Sequence, residues 1–248
     1  MGRLSGKVAV ITGASQGMGE AHAKAFVAEG AKVILSDINE AAGSVLAESL
    51  GDEAIFVLHD VASAADWAQV IAQGEARFGP INVLVNNAGI IGPVAKTADI
   101  SEADFARVCA VNQTGVFLGM QAVLPSMIAN GGGSIVNISS ISGMLANVGT
   151  PNLAYAGSKF AVRGMTKQVA VEYGAHGIRA NSVHPGYVKT PMMVAATDED
   201  GGGAASAIPL GRFAEAGEIS PLVIFLASDE SSFVTGMEHV IDGGMTAC

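Results

Sequence analysis

The sequence contains little cysteine and little charge. Cys109 and Cys248 are the only cysteines in 248 residues, so one disulfide between them is the most the chain could form. Two free thiols in a reducing compartment is the simpler interpretation, and we therefore expect a cytoplasmic protein. Charged residues make up 15% of the chain and apolar residues 50%, a composition that argues against disorder and favours a well-buried core.

Long hydrophobic runs and positive charge are also scarce. A membrane-spanning helix needs about 20 residues, and glycine, aspartate, asparagine or lysine interrupts every apolar stretch here. No apolar signal region is found in Met1–Lys7, ahead of the first predicted strand. Lys and Arg number 13 against 23 Asp and Glu, giving a net charge of −10. Because such a chain repels phosphate backbones and anionic lipids, we expect no nucleic-acid and no membrane partner.

The chain is built from short β-branched runs that alternate with longer alanine-rich stretches, with no internal repeat and no linker. Strands that are apolar throughout and separated by helices predict a parallel sheet covered on both faces, hence a single doubly wound α/β domain over residues 1–248. The predicted strands are Val8–Ile11, Lys32–Ser36, Ala54–Leu58, Ile81–Val85, Ser134–Ile138, Arg179–Val183 and His239–Ile241. The predicted helices are Ala21–Glu29, Glu40–Ser49, Ala64–Phe78, Glu102–Ala129, Ala154–Tyr173 and one containing Pro221–Ala227.

A glycine-rich turn follows the first strand and precedes the first helix, where a helix N-terminus can hold a phosphate. Gly13 would allow the tight turn, Gly17 the approach of a pyrophosphate, and Gly19 close packing of helix and strand. The turn residues Ser15, Gln16 and Met18 belong to the same predicted cofactor site.

Asp37 ends the second strand, 24 residues after Gly13. A carboxylate there can accept hydrogen bonds from both hydroxyls of the adenosine ribose and would repel a 2′-phosphate. No Arg or Lys follows between Ile38 and Glu40, so the sequence favours NAD over NADP, with Ile38 beside the adenosine. Capping of the next helix is an alternative role for Asp37, and both roles can hold together.

Two further strand ends carry polar residues. Asp60-Val61 follows the third strand, where a carboxylate can reach the adenine amino group. Asn86-Asn87-Ala88-Gly89 follows the fourth, where side-chain amides can join neighbouring strand ends and small residues leave room for the ribose. An ordinary turn is the alternative interpretation of the second segment.

Tyr155 and Lys159 are four residues apart on a predicted helix, so both side chains share one face. Hydride transfer to a ketone creates an alkoxide that must be protonated, and a nearby ammonium would lower the pKa of a tyrosine toward working pH. The alternative is a half-buried tyrosine with a surface lysine. Ser140, at the end of the preceding strand, could hydrogen-bond the substrate oxygen, and Asn112 could hold a water beside Lys159.

The ordered set of motifs resembles the short-chain dehydrogenase/reductase family over Leu4–Gly244. The set is Thr12-Gly13-(x)3-Gly17-x-Gly19, Asn86-Asn87-Ala88-Gly89, Asn112, Ser140, Tyr155-(x)3-Lys159 and Pro185-Gly186. The resemblance implies a Rossmann fold of about seven strands, with Tyr155 as general acid/base and Lys159 lowering its pKa and binding the nicotinamide ribose. It implies that Ser140 orients the carbonyl and that Asn112 anchors a water.

The same resemblance implies further contacts. Pro185, Gly186, Val188 and Thr190 would flank the nicotinamide, and Asp242-Gly243-Gly244 matches a segment concerned with subunit packing, so a homotetramer is expected. The family serine stands thirteen residues before the tyrosine, which is the place of Ser142, whereas Ser140 stands fifteen before it. Ser140 keeps the strand-end position, and we choose it over Ser142.

Some stretches resemble bacterial hydroxysteroid dehydrogenases, while the expected substrate-loop region at about 190–210 is poorly matched. Met144, Leu145, Val148, Met192 and Met193 flank the site and predict an apolar alcohol or ketone substrate, alicyclic, aryl or steroid-like. A 3-oxoacyl-thioester reductase, a silent NAD-binding regulator, and a lyase or epimerase stay as alternatives. No metal site is predicted, and no role is assigned to His184.

The segment from Ala195 to Ala207 is acidic, rich in glycine and without periodicity. It predicts a mobile surface loop. Such a loop is either a solvated connection or a lid over the substrate.

Overall fold

A computed structural model describes residues 2–146, 151–196 and 201–247 of the chain. The predicted single-domain α/β fold is confirmed: seven strands form one sheet, and every neighbouring pair is parallel. The sheet strands are β1 (Val8–Thr12), β2 (Lys32–Asp37), β3 (Ala54–Leu58), β4 (Val83–Asn86), β5 (Gly133–Ile138), β6 (Ile178–Pro185) and β9 (Glu238–Ile241), and a separate short pair consists of β7 (Val188–Lys189) and β8 (Ala214–Glu215).

The strands lie in the order β3-β2-β1-β4-β5-β6-β9. The order reverses between β1 and β4, and in open parallel sheets ligands bind in the crevice at the carboxyl ends beside such a reversal. The glycine turn, the asparagine segment and the strand-end serines therefore belong to one edge of the sheet.

Helices cover both faces of the sheet. They are α1 (Gly17–Ala28), α2 (Glu40–Leu50), α3 (Ala64–Phe78), α4 (Glu102–Cys109), α5 (Gly115–Ala129), α6 (Leu153–Tyr173), α7 (Pro191–Ala196) and α8 (Ser220–Ala227). Alternate residues of β1 enter two different cores because successive side chains of a strand point to opposite faces. Ile11 packs in the core that includes Phe26 of α1, and Val10 packs in the core that includes Trp67 of α3.

The first helix starts earlier than the prediction placed it. It begins at Gly17 instead of Ala21, because the second half of the glycine turn is itself the first helical turn. The pattern of apolar residues starts only later, which explains the difference.

The predicted helix Glu102–Ala129 is interrupted. Ala110–Thr114 forms a π-helical turn between α4 and α5, and Asn112 lies inside it. By length and mean hydropathy, 1.2, this run passes a test for membrane-spanning helices, although Asn112 interrupts it as the sequence predicted. Of the most apolar stretch of this run, 44% is buried inside the protein, and Val116 and Val123 belong to the core. Buried helices of globular proteins reach the same length and hydropathy as membrane-spanning helices.

The glycine-rich segment is partly helical. Pro191–Ala196 is α7 and Gly201–Ala207 is a 3-10 helix, so a wholly irregular loop was the wrong expectation for those residues. Residues 197–200 of the segment lie outside the described part of the chain.

Candidate active site

The glycine turn between β1 and α1 is packed too closely for side chains. Gly13 has φ +63°, and a Cβ there would come within 2.8 Å of the Ala88 Cα. A Cβ on Gly19 would overlap the Gly13 carbonyl oxygen and lie 2.7 Å from the Asn87 amide nitrogen. The roles predicted for Gly13 and Gly19, a tight turn and close helix–strand contact, agree with this geometry.

Asn87 ties the turn to the end of β4. Its Nδ2 donates to the carbonyls of Thr12 at 2.9 Å and Gly13 at 3.2 Å. In return, the Thr12 hydroxyl oxygen accepts from the backbone N–H groups of Asn87 and Ala88, both at 3.0 Å. The structure therefore brings these two segments together, and it adds Thr12 to the residues that shape the turn.

The same turn has an unused acceptor. The Asn87 Oδ1 atom is buried and has no hydrogen-bond partner among the described residues. A buried acceptor without a partner is costly, and a hydroxyl of a bound ligand would satisfy it. Together with the cradle of glycines, this atom fits a bound dinucleotide.

Asp37 faces the turn from the end of β2. Its Oδ2 accepts from the Ser15 backbone N–H at 3.0 Å and its Oδ1 from the Asn39 N–H at 2.9 Å. Asn39, and not Asp37, caps α2, because the Asn39 Oδ1 accepts from the Ala42 N–H at 3.2 Å. Capping is therefore excluded as the role of Asp37, and its carboxylate is fixed beside the turn. Next to it, Ile38 is 74% exposed and offers an apolar surface.

Asp60 and Val61 lie at the end of β3 with different surroundings. Asp60 is exposed, and its Oδ1 accepts from the Ala62 N–H at 2.9 Å. Val61 is buried, and its carbonyl accepts from the Trp67 indole N–H at 3.0 Å. Contact of Asp60 with adenine stays a prediction.

Tyr155 and Lys159 share one face near the start of α6. The Lys159 Nζ is 5.7 Å from the centroid of the Tyr155 ring and donates to the Ile138 carbonyl at 2.9 Å. Lys159 is only 4% exposed, which excludes the alternative of a surface lysine. The Tyr155 hydroxyl is hydrogen-bonded to the side chain of Ser140, at the end of β5.

The protonation of this pair differs from the sequence-based expectation. Burial raises the pKa of Tyr155 above its ordinary value, and the hydrogen bond with Ser140 offsets part of that increase. Burial also lowers the pKa of Lys159 to about 8. The net shift of the Tyr155 pKa is therefore upward and not downward as expected, because desolvation outweighs the groups that favour the phenolate.

Asn112 is fully buried in the π-helical turn. Its Oδ1 accepts from the Ile90 N–H and its Nδ2 donates to the Ile90 carbonyl, both at 2.8 Å. A Cβ on Gly89 would lie 3.3 Å from Asn112 Oδ1 and 3.5 Å from Lys159 Nζ, so both groups border one small space beside Gly89. The structure thus brings Asn112 and Lys159 together, with Asn112 also fixing the loop after β4.

A cavity of about 160 Å³ opens beside Tyr155 and Ser140. Its walls are mostly apolar and come from the ends of β4, β5 and β6, from α6 and from α7. The lining residues are Met18, Ile91, Val94, Ser139, Ser140, Ile141, Ser142, Asn152, Tyr155, Pro185, Gly186, Tyr187, Val188, Thr190, Met192 and Met193.

Comparison with known proteins agrees with this geometry. Residues 13–246 match the model of a family described as Enoyl-(Acyl carrier protein) reductase. The chain is 47% identical to the 3-alpha-(or 20-beta)-hydroxysteroid dehydrogenase of Mycobacterium bovis, covering 99% of this chain and 92% of that protein. It is also 47% identical to the trans-4-hydroxycyclohexanecarboxylate dehydrogenase of Sinomonas cyclohexanicum, over 99% and 95% of the two chains. A short-chain type dehydrogenase/reductase from Mycobacterium marinum superposes with a TM-score of 0.93 at 37% identity, over 99% and 97% of the two chains.

This chain belongs to the short-chain dehydrogenase/reductase family. It is accordingly an oxidoreductase of the kind that acts on secondary alcohols, and its cofactor is a nicotinamide dinucleotide. The comparisons leave the choice between NAD and NADP open, since one relative, from Lentilactobacillus kefiri, is an NADP-dependent (R)-specific alcohol dehydrogenase.

The cavity includes two of the apolar substrate residues predicted for this dehydrogenase. Met192 and Met193 line it, as expected, but Met144 and Leu145 do not. Their backbone N–H groups both bond to the Ile141 carbonyl, at 2.9 and 3.1 Å, and contact of their side chains with a substrate stays a prediction. Val148 lies outside the described residues.

The predictions also missed parts of the dehydrogenase site. Ile91 and Val94 come from the loop after β4, and Tyr187 follows Pro185-Gly186. Asn152 was passed over although an asparagine just before a helix is a common N-cap, and that signal could have identified it.

Ser140 and Ser142 were the two candidates for the serine that contacts the tyrosine. The hydroxyl that is hydrogen-bonded to Tyr155 is that of Ser140. The Ser142 backbone N–H donates to the Ser140 Oγ at 3.1 Å. The Ser142 backbone thus supports the Ser140 hydroxyl, and Ser142 also borders the cavity.

Proposed function

We propose that this short-chain dehydrogenase/reductase uses NAD(H) to interconvert a secondary alcohol and its ketone, with Tyr155 as the general acid/base. The observation that carries the proposal is the hydrogen bond between the Tyr155 and Ser140 hydroxyls at the wall of an apolar cavity. Lys159, buried one helical turn away, completes the group.

The dinucleotide, when bound, accepts or supplies the hydride. The glycine turn, Asp37, Asn87 and Lys159 would hold it, and Pro185, Gly186, Val188 and Thr190 would border its reactive ring. The choice of NAD rests on Asp37, whose carboxylate is fixed at the turn by two backbone N–H groups and would repel a 2′-phosphate.

In the direction of reduction, the ketone oxygen accepts hydrogen bonds from Ser140 and Tyr155. The oxygen gains negative charge as the bond to hydrogen forms on carbon, and Tyr155 then donates its proton to it. Because burial raises the pKa of Tyr155, its hydroxyl is protonated and ready to donate at neutral pH. Alcohol oxidation is the reverse and needs Tyr155 to accept a proton, so it is favoured at higher pH.

Lys159 supports both directions electrostatically. With a pKa of about 8 it carries its charge at neutral pH and loses that charge in the alkaline range. The charged ammonium stabilises the negative charge that Tyr155 carries after it has donated its proton. Asn112 borders the space beside Lys159 and is proposed to anchor a water that returns the proton from solvent.

The proposed substrate is an alicyclic, aryl or steroid-like alcohol. The cavity walls offer Ile91, Val94, Met192 and Met193, and adaptable methionine side chains suit rigid rings of varied shape. The relatives from Mycobacterium bovis and Sinomonas cyclohexanicum are named for ring alcohols of this kind. A carrier-bound thioester suits the chain less well, because a net charge of −10 disfavours an acidic carrier protein.

We also propose that the chain forms a homotetramer and works in the cytoplasm. Apolar side chains are exposed along α5 and α6, among them Phe117, Ile128 and Val171, and a second copy of the chain would cover them. Light scattering on the purified protein measures the mass of the assembly. We expect the mass of four chains, and the mass of a single chain would contradict the tetramer. The proposal of a cytoplasmic location rests on the low cysteine content.

The experiment is a panel of secondary alcohols, including cyclohexanols and hydroxysteroids, assayed with NAD+ and NADP+ separately, together with the matching ketones and a 3-oxoacyl thioester assayed with NADH and NADPH. We expect NADH formation with at least one ring alcohol, and weaker use of NADP+. Tight NADH binding without turnover of any alcohol or ketone would favour a silent regulator. Turnover restricted to acyl thioesters with NADPH would favour the carrier-linked reductase.

A further inference from the structure

His184 lies directly behind the catalytic serine, in β6, and is fully buried. Its Nδ1 is 2.9 Å from the Ser140 carbonyl oxygen, and its Nε2 is 2.9 Å from the Ser182 hydroxyl. The imidazole ring therefore bridges a residue of the sheet and the residue that contacts Tyr155.

The partners decide the tautomer of His184. A carbonyl oxygen can only accept, so Nδ1 must carry the hydrogen and donate it to Ser140. In the neutral ring Nε2 then accepts the hydrogen bond of the Ser182 hydroxyl. Burial lowers the pKa of His184 and keeps it neutral, while the charged groups that act on it are Glu238, Arg163 and Lys159.

Hydrogen bonds hold both the backbone carbonyl and the side-chain hydroxyl of Ser140. Its carbonyl accepts from His184 and from the Gly143 N–H at 2.9 Å, and its Oγ accepts from the Ser142 N–H at 3.1 Å. Because a lone pair of the hydroxyl is occupied by Ser142, the hydroxyl hydrogen is left to point toward Tyr155 and the cavity. Without His184, one of the two bonds that fix the Ser140 peptide plane is lost.

We propose that His184 is a positioning residue for the reaction, fixing the Ser140 peptide so that its hydroxyl is aligned with Tyr155. The proposal depends on the function proposed above. It assigns a task to a side chain that touches no reactant, and it predicts that loss of the Nδ1 hydrogen bond acts on turnover through Ser140 alone.

Two substitutions separate the hydrogen bond from packing. In His184→Asn the side-chain amide nitrogen can take the place of Nδ1 and donate to Ser140, whereas in His184→Gln the amide reaches the place of Nε2, toward Ser182. Both introduce a buried amide, so their folding costs are comparable. We expect His184→Gln to lower kcat by about tenfold to a hundredfold, the range that a small misplacement of a reacting group produces. His184→Asn should stay within about threefold of the unmutated enzyme.

The dependence on Ser140 is tested with a double-mutant cycle. If His184 acts through Ser140, then His184→Gln should lower kcat by less than about twofold in a Ser140→Ala background. The NADH dissociation constant, measured by fluorescence, should be unchanged in all variants. The alkaline-rising limb of the kcat/KM profile for alcohol oxidation should move to higher pH in His184→Gln and Ser140→Ala alike, because the Ser140 bond holds down the pKa of Tyr155.

A matched control is His22→Gln. His22 is also fully buried and bonded to a serine hydroxyl, with 2.8 Å between its Nδ1 and the Ser220 Oγ, but this bond joins α1 to α8 and touches neither Ser140 nor Tyr155. This variant should lose stability without moving the pH profile. Equal kcat in His184→Asn and His184→Gln, or full multiplicative loss in the double mutant, would overturn the inference while leaving the proposed function intact. An unmutated protein that oxidises no secondary alcohol would overturn both.

Discussion

Asn152 caps the helix that carries Tyr155, with 3.1 Å between the Asn152 Oδ1 and the Tyr155 backbone nitrogen. The Asn152 Nδ2 also donates to the Ile91 carbonyl at 2.9 Å, in the loop that forms one wall of the cavity. One side chain thus fixes both the start of the catalytic helix and the position of a substrate-binding loop.

Replacing Asn152 by alanine should therefore affect stability and substrate binding together. Loss of an N-cap costs about 1 kcal/mol of unfolding free energy. We also expect KM for the alcohol to rise several-fold because the Ile91 loop is released. Ser101→Ala is the control, since the Ser101 Oγ caps α4 at 3.0 Å from the Asp104 nitrogen without lining the cavity. A Ser101→Ala variant with the same rise in KM would show that the effect is not specific to Asn152.

Asp37→Ala should improve the use of NADPH relative to NADH. The ratio of kcat/KM values should shift by at least about tenfold, since 1.4 kcal/mol of removed repulsion corresponds to that factor. Asp52→Ala removes the same charge from an exposed carboxylate paired with Arg77, outside the predicted cofactor site, and should leave the ratio unchanged. If the unmutated enzyme already prefers NADPH, the role assigned to Asp37 is wrong.

Lys159 should make stability depend on pH in a predictable direction. Its pKa is lowered from 10.5 to about 8 by burial, so between those values the unfolded chain holds a proton that the folded chain has released. Stability should therefore increase as pH rises through that range, and below about pH 8 the full cost of burying the charge is present.

Lys159→Met removes this dependence. From pH 8 to 10, the unfolding free energy of the unmutated protein should gain about 2 kcal/mol relative to the variant, measured by chemical denaturation. The variant should lose activity throughout. A constant difference between the two proteins across this range would contradict the burial of a charged Lys159.

The sequence was sufficient to predict the sheet and the edge of it at which the candidate site residues lie. Buried strands such as β1 are apolar throughout, and the strand ends carry the glycine, asparagine and serine motifs, so a parallel sheet with these motifs at one edge was predictable, whereas the reversal of strand order between β1 and β4 was not. The family motifs then identified Tyr155, Lys159, Ser140 and Asn112, which the structure brings to one edge of the sheet.

What could not be predicted depends on tertiary contacts. The apolar pattern of Glu102–Ala129 looks like one helix. The π-helical turn inside it accompanies buried hydrogen bonds of Asn112 with Ile90 and Ser158, which the pattern does not reveal. Met144 follows the serine loop in sequence but is not among the residues that line the cavity. The raised pKa of Tyr155 depends on how much protein surrounds it, which spacing along a helix does not reveal.

The most direct test of the account compares the unmutated enzyme with Tyr155→Phe under saturating NAD+ and the best ring alcohol of the panel, following NADH absorbance. Removing only the hydroxyl that bonds Ser140 should lower kcat by about a hundredfold or more, with the NADH dissociation constant unchanged. A Tyr155→Phe enzyme that forms NADH at close to the unmutated rate would contradict the proton-transfer role of Tyr155 and the proposed mechanism with it.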